Sequence, residues 1–569
     1  MRILSLHLVN HDANVTYFDG EKAHYINIER VKQIKKYHYY KWNFPKLLDD
    51  LRGMNIPEHV DVLTVCIGEQ IFNKEEEALL NWEFKNGEFL QPLEEWQFES
   101  VFENLPVRAD KYYRVEHHYG HYMSAEWMYN TGQGVIIDGC GDYGNHTSVF
   151  KGDKKVISYT HRDMLSIGDL YYETAGNLLG RGTRKEWDNT FSDKSGNLMG
   201  LISYGHFNEH YAKQLRELSF EDFPAYAINV WQYWTKGIPG VHDTLTGHAL
   251  DALSNDKRTY SEVSKEYPMS MLWVHEDGHP HVRQYHTDWM RTWQDVLAEK
   301  MIEFFSRYFT EHDEFVYSGG VAHNVVINEK LAKAFPKMKI PPCIGDEGQS
   351  LGSMYAVLKE YNIEAECPTH NWSHENIKEM SKETAETVAN HLLRNDVIAV
   401  CQGASEIGPR ALGNRSIIYR PDQKYAAHYF NDRGLKNREF WRPYGIIILE
   451  EELSNYLQTE TLSPHMLYVA TPTELGKEKL SGVIHIDGTV RYQTVNSGPY
   501  YHMLKKLQSM CGVAAIVNTS LNSHGKPICQ TTADVLEFVH KYNPDGVVIE
   551  DYLYLNNARR SEDATGTYV

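Results

Sequence analysis

Short apolar runs that stop at glycine-rich turns recur along this chain, and they constrain its fold more than any other feature. "RILSLHLV" (2–9), "DVLTVCIG" (61–68), "GVIIDGCGDYGNHTSVFKG" (134–152) and "FVYSGGVAHNVVINEKL" (315–331) each read as buried strands leaving through a turn. The last runs on into a helical pattern. Strand–glycine turn–helix units belong to α/β architectures and set backbone N–H groups where a phosphate or nucleoside can sit. Alternating apolar and polar residues on both sides of "NHDAN" predict a hairpin at the start of a sheet. A helix is expected over about 285–311. From 358 to 382 no periodic pattern holds, and "DVIAVCQG" (396–403) then begins again as a strand. At 569 residues the chain exceeds what one core supports. The expected division is a first domain over 1–357, a linker over 358–382 and a second domain over 383–569. No internal repeat is visible in the sequence.

Charge and composition exclude several classes. The formal net charge of −20 rules out coating duplex DNA through a general positive field, although a local basic groove survives screening. The N-terminal stretch lacks the marks of a signal peptide, and no apolar run reaches the length of a membrane span, so no membrane partner is expected. Seven scattered cysteines without a CxxC pair predict reduced, mostly buried thiols and a cytoplasmic setting, the host's if the chain is viral. "ERVKQIKKYHYYKW" (29–42) is basic and aromatic. It is either a solvated surface or an edge that contacts substrate.

Two patterns carry chemistry. In "VEHHYGHYMSAEW" (115–127), His117 and His121 are four apart. On a helix both imidazoles share one face, a start on a metal site that needs a further ligand from elsewhere. The second pattern gathers cations beside glycine turns and short polar side chains. Arg410, Arg415 and Arg420 are followed by Lys436, Arg438, Arg442 and Arg491, and then by Asn518, Thr519, Ser520 and Asn522. Guanidinium forks bind phosphate oxygens in pairs, and amides and hydroxyls fill the remaining lone pairs, so the set suits a phosphorylated ligand. The competing explanation is that each arginine pairs with a surface carboxylate.

Taken in order, "HDAN", "HHYGH", "DGCGD", "SIGDLYYETAG", "SGGVAHNVVIN", "GDEGQSLGS", "GPRALGNRS", "NREFWRPYG", "DGTVRYQTV" and "NTSLNSHGKPI" resemble the O-carbamoyltransferase family of nodulation-factor and antibiotic-tailoring enzymes, with some viral DNA-modifying relatives. The resemblance runs from His11 to Pro527. It implies an α/β protein with an actin-like N-terminal domain, similar to the tRNA threonylcarbamoyladenosine synthases, and a C-terminal α/β domain similar to the enzyme that makes threonylcarbamoyl-adenylate. It implies that carbamoyl phosphate and ATP, with Mg(II), give carbamoyl-adenylate and pyrophosphate, and that an acceptor hydroxyl then takes the carbamoyl group. The matching positions make His117, His121 and Asp346 ligands of Fe(II) or Zn(II), with His118 structural. They make His11 the acceptor base and let Asp138 orient acceptor or nucleotide. Gly319, Gly320, Asn324 and Asn328 match a nucleoside-binding loop. Arg410, Lys436, Arg442, Arg491, Asn518 and Ser520 match the carbamoyl phosphate and ATP site, with Arg491 catalytic. A homodimer is the candidate assembly. Acceptors in the family are antibiotic sugars, lipo-oligosaccharides and 5-hydroxymethylcytosine in DNA, and the aromatic stretches at 29–42 and 82–102 offer stacking surfaces for a base or a sugar. The expected acceptor is a hydroxymethylated pyrimidine in nucleotide or DNA, the alternative a sugar or natural-product hydroxyl. tRNA adenosine modification and a nucleotide-binding regulator are the more distant alternatives. The sequence departs from the family pattern at Asp142, Leu521 and Lys526, where Glu, Phe and Glu are usual.

Overall fold

The computed structural model describes residues 1–9, 11–66, 88–179, 195–235, 272–274, 280–282, 284–423, 426–436 and 441–556. Two compact units emerge, Met1–Cys66 with Leu90–Val115 and Glu347–Val569, and Ile67–Phe89 with Glu116–Asp346.

The first unit holds two sheets. One runs from the hairpins β1 (Ile3–His7), β2 (Asn14–Phe18) and β3 (Ala23–Asn27) to β4 (His59–Cys66), β5 (Leu90–Leu93) and β6 (Arg108–Val115), in the order β3-β2-β1-β4-β6-β5. β1, β2 and β3 are antiparallel neighbours, while β4 runs parallel to β1 and β6 parallel to β4. Helix Gln349–Glu360 packs on β1 and β2, burying Leu351, Met354, Val357 and Leu358 at helical spacing. Its start carries no capping side chain of its own. The Asn14 side chain accepts from Ser350 N–H at 2.9 Å instead, and the Ser350 hydroxyl meets Thr16 Oγ1 at 2.8 Å.

The second unit repeats that topology. β7 (Gln133–Ile137), β8 (Asn145–Lys151) and β9 (Lys154–Thr160) form an antiparallel meander. A short hairpin, β10 (Leu272–Val274) and β11 (Pro280–Val282), stands apart as its own sheet. β12 (Phe315–Ser318) runs parallel to β7, and β13 (Met338–Lys339) parallel to β12, giving the order β13-β12-β7-β8-β9. Read as β9-β8-β7-β12-β13, order and strand directions match β3-β2-β1-β4-β6 of the first sheet, and β5 has no counterpart among the described residues. This duplicated arrangement is that of the actin-like fold, although no repeat shows in the sequence. The expected helix across 285–311 is Gln284–Phe305.

The other sheet of the first unit has eight strands, β14 (Ile398–Cys401), β15 (Arg415–Tyr419), β16 (Gly445–Leu449), β17 (Tyr468–Ala470), β18 (Val490–Val495), β19 (Ala515–Ser520), β20 (Gly546–Ile549) and β21 (Tyr552–Leu555). Their order is β17-β18-β16-β19-β15-β14-β20-β21. Helices Lys382–Leu392 and Gly498–Cys511 pack against each other beside it. Residues 361–381 between helices Gln349–Glu360 and Lys382–Leu392 hold no long element. Asn371 there accepts from Asn27 N–H at 2.9 Å and donates to the Glu406 carbonyl at 2.7 Å, tying the two sheets of this unit together.

All seven cysteines are free, four of them buried. Among the described residues no helix is long and apolar enough to cross a membrane.

Candidate metal centre and anion site

The three histidines open helix His117–Tyr129, which packs on β7, β8 and β12. Glu116 starts the helix by accepting from Tyr119 N–H at 2.7 Å, and Asp142 accepts from His117 N–H at 2.7 Å. Both interactions fix the turn that carries the imidazoles. His117 Nε2 and His121 Nε2 lie 3.2 Å apart. Asp346 Oδ1 is 3.3 and 3.4 Å from them, and Asp138 Oδ2 is 3.3 and 3.6 Å away. The four donor atoms all fall within 4.8 Å of one another. A tetrahedron of ligands about 2.1 Å from an ion has edges of about 3.4 Å, so these spacings fit a divalent ion held by two imidazoles and two carboxylates.

The family resemblance gives Asp138 the task of orienting acceptor or nucleotide, and the fold sets its carboxylate beside the two histidines, where it is a fourth candidate donor. The reason lies in the turn after β7. Asp138 Oδ1 accepts from Gly320 N–H at 2.6 Å, which turns Oδ2 toward the imidazoles. Gly319 makes this approach possible. It adopts φ +96°, and a Cβ there would stand 2.4 Å from the Ile137 carbonyl oxygen. Burial alone would raise the Asp138 carboxyl, but hydrogen bonds to His117 and His121 hold it well below the usual carboxylate range. Burial pulls the His121 imidazole down, yet hydrogen bonds to Asp138 and Asp346 leave it above its ordinary value. His118 faces away. Its Nδ1 meets Ser148 Oγ at 2.9 Å, and burial drives its pKa well down, which favours the neutral ring.

The loop matched to nucleoside binding is occupied by its own architecture. Asn324 caps helix Val325–Ala334 through Val326 and Ile327 N–H, while its Nδ2 donates to Tyr171 Oη at 2.8 Å and Gln294 Oε1 at 3.1 Å. Asn328 is fully buried and donates to the Ala322 carbonyl at 2.7 Å. In the first unit, His11 is partly exposed and its Nδ1 lies 2.8 Å from Asp12 Oδ2.

The eight-stranded sheet sorts the cations. β18, β16 and β19 align Arg491, Gly445 and Asn518 as direct neighbours, so the two side chains share one face with a glycine between them. A Cβ at Gly445 would stand 2.7 Å from Met466 Sδ and 3.3 Å from Arg491 Nε. Ser520, two residues beyond Asn518 on β19, accepts at 3.4 Å from Lys436, which also donates to Asn522 Oδ1 at 2.7 Å. Among the described residues Arg410 Nε and Asn518 Oδ1 are buried without a hydrogen-bond partner. Burial, reinforced by the nearby Arg442 charge, lowers the Arg410 guanidinium to about 10. Two guanidinium groups held close, with buried polar atoms unsatisfied, are what an anionic ligand relieves.

Arg415 and Arg420 do not join this set. Arg415 is fully buried and donates to the carbonyls of Gln402, Gly403, Asn414 and Gln530, and Arg420 pairs with Asp422. For them the competing explanation comes close to holding, with buried carbonyls or a neighbouring carboxylate as partner. Replacing Arg415 by alanine takes the guanidinium away from four carbonyls, of which Asn414's keeps the Gln402 N–H at 3.1 Å, and is expected to cost on the order of 3 kcal/mol, read as a lower denaturant midpoint. Arg438 lies outside the described residues. Lys526 pairs with Glu537 at 3.0 Å. The basic stretch 29–42 proves mixed. Arg30 is buried and donates to the Gly408 carbonyl, Lys32 pairs with Asp50 and Lys36 with Asp12, while Trp42 is 70% exposed and stacks on Tyr40 with rings 6.1 Å apart. Of the aromatic segment 82–102, residues 82–87 lie outside the described residues, Phe98 and Phe102 are core, and Trp96 is exposed.

Fold and site together define an α/β protein with a duplicated actin-like topology and a metal-competent centre. The chain belongs to the carbamoyltransferase family: the family model for the carbamoyltransferase N-terminus matches residues 2–355 and that for the C-terminus residues 389–556. It is 27% identical to the nodulation protein NolNO of Sinorhizobium fredii over 79% of this chain and 65% of that one. It is 27% identical to a 3'-hydroxymethylcephem-O-carbamoyltransferase of Amycolatopsis lactamdurans over 46% of this chain and 53% of that one. Among solved structures, full-length HypF in its phosphate- and nucleotide-bound form matches 31% of this chain and 25% of its own at 19% identity and a TM-score of 0.22. The chain spans 54%, 65% and 56% of the length of the first three curated relatives it matches.

Proposed function

We propose that this protein is an ATP-dependent O-carbamoyltransferase. Residues 383–569 convert carbamoyl phosphate, ATP and water to carbamoyl-adenylate, orthophosphate and pyrophosphate: the carbamoyl–phosphate link breaks with water, orthophosphate leaves, and the carbamoyl oxygen bonds to the α-phosphorus of ATP as pyrophosphate departs. The domain over 1–357 transfers the carbamoyl group to an acceptor hydroxyl, releasing AMP. The observation that carries this reading is the row Arg491–Gly445–Asn518, with Lys436 on Ser520 two residues along β19, and with Asn518 bonded to the carbonyl of Ala411, next to Arg410 and its neighbour Arg442, in a chain whose net charge is −20. An acidic protein has no general field to attract phosphates, so cations concentrated above a glycine support a dedicated phosphate pocket. Arg491 and Lys436 are assigned to the phosphates of carbamoyl phosphate and ATP, and Mg(II) accompanies ATP.

His117, His121, Asp138 and Asp346 are assigned to Fe(II) or Zn(II). When bound, the ion supplies Lewis acidity toward phosphate and carbonyl oxygens. His11 takes the acceptor proton. The acceptor is a hydroxymethyl group, that of 5-hydroxymethylcytosine in nucleotide or DNA. Two observations favour it: a relative named for action on a hydroxymethyl group, and the exposed Trp42 stacked on Tyr40 with Lys46 5.7 Å from the Trp42 ring. A sugar or natural-product hydroxyl is the alternative.

Pyrophosphate release from ATP and Mg(II) is expected only when carbamoyl phosphate is added. Equal release with and without carbamoyl phosphate, or none with acceptor present, sinks the adenylation assignment. Offering duplexes with and without 5-hydroxymethylcytosine beside a panel of sugar alcohols then separates the acceptors.

A further inference from the structure

The turn after β1 holds an arrangement that the assignments above leave unused. Asp12 is buried and left-handed, at φ +56°. One of its carboxylate oxygens, Oδ2, lies 2.8 Å from His11 Nδ1 and 3.0 Å from Lys36 Nζ. Lys36 is itself left-handed at φ +57°, a rare conformation for a lysine. Its backbone N–H donates to Glu29 Oε2 at 3.0 Å. The turn is pinned from three more directions. Asn14 Nδ2 donates to the Asp12 carbonyl at 2.6 Å, Ala13 N–H donates to the Tyr37 carbonyl at 2.8 Å, and the His7 imidazole meets the His11 carbonyl at 3.1 Å. Two left-handed residues on separate segments are thus joined by one ion pair, with His11 on the same oxygen.

We infer that Asp12 is the positioning residue of the acceptor base His11, with Lys36 holding the same carboxylate oxygen in place. The inference rests on the reading of His11 as that base. A carboxylate only accepts, so a neutral His11 donates its Nδ1–H to Asp12 and carries its lone pair on Nε2. Asp12 then does for His11 what an orienting carboxylate does for any catalytic imidazole: it selects the tautomer, fixes the ring and stabilises the imidazolium that forms. In the transfer step His11 Nε2 takes the proton of the acceptor hydroxyl. The acceptor oxygen bonds to the carbamoyl carbon, the bond from that carbon to the adenylate phosphate oxygen breaks, and AMP leaves with the electron pair. Burial pushes the Asp12 carboxyl up, but Lys36 and His11 more than offset it and hold it far below the usual carboxylate range, in keeping with a permanently ionised partner.

Asp12→Asn is the informative variant, because asparagine tolerates the same left-handed backbone while its amide loses the charge and turns one accepting oxygen into an NH2 donor. The full chain labelled with 15N-histidine, with His11 assigned by its disappearance in His11→Gln, reads the tautomer directly and needs no acceptor. The expected wild-type signal is the Nδ1–H form, and Asp12→Asn should abolish that preference. A wild-type Nε2–H form, or an unchanged tautomer in a folded variant, overturns the inference. With a 5-hydroxymethylcytosine duplex as acceptor, transfer by Asp12→Asn should fall about 100- to 10,000-fold in kcat with little change in acceptor KM. Pyrophosphate release should stay within about twofold. Asp12→Glu should recover part of the loss. Undiminished transfer by Asp12→Asn also overturns the inference. If the wild type transfers to no hydroxyl at all, the proposed function fails, and the tautomer measurement still decides whether Asp12 orients His11.

Discussion

A His117→Ala variant is expected to lose acceptor carbamoylation by more than about 100-fold while its carbamoyl-phosphate-dependent pyrophosphate release persists, since losing even an outer partner costs a metal site roughly 10- to 100-fold. The separation follows from where the residues belong. His117, His121, Asp138 and Asp346 all lie in the second compact unit, and the cation row lies in the first. Removing one imidazole leaves His121 facing two carboxylates, with one donor too few for the ion. Elemental analysis should find less bound divalent metal in the variant than in its parent, and a chelator should reproduce the defect in the parent. Loss of both half-reactions, or of neither, contradicts the assignment of two separate sites.

The second large effect is expected at Arg491. Arg491→Ala should lower carbamoyl-phosphate-dependent pyrophosphate release about 100- to 1,000-fold, the loss typical of deleting one pre-set donor from a developing charge. Arg491 shares a sheet face with Asn518 across Gly445, so its position is set by strand register. A more flexible segment could not hold a guanidinium there. The control is Arg420→Ala, whose guanidinium is held by Asp422 and is expected to leave release within about twofold of the parent. Equal losses in the two variants would show that the row has no special part in adenylation.

Much of the fold was legible because strand periodicity and glycine turns are local. The opening hairpin, the strands around 61–68 and 134–152, and the helix near 285–311 follow from residues close in sequence. The duplication of the actin-like topology was not legible, since strand order is a property of pairing between distant segments, and the two halves share no visible repeat. The spacing of His117 and His121 on one helix face was equally local. Asp346, more than two hundred residues away, came only from motif order.

Asp138 shows where sequence reasoning stops. Its motif marked it as polar and near a turn, but its place among the imidazoles depends on Gly320 N–H taking its other oxygen. A carboxylate following a buried strand and preceding glycine was the available signal, and it does not say which way the carboxylate faces. The arginines teach the same lesson. Arg410, Arg415 and Arg420 sit within eleven residues and look alike in sequence. The chain determined by itself that cations, glycines and amides cluster in its last third and that two imidazoles share a helix face. Only the tertiary structure decided which cations remain for a ligand. Whether a guanidinium meets carbonyls, a carboxylate or an open sheet face depends on what distant strands bring beside it, and a buried charge takes whatever partner the packing supplies.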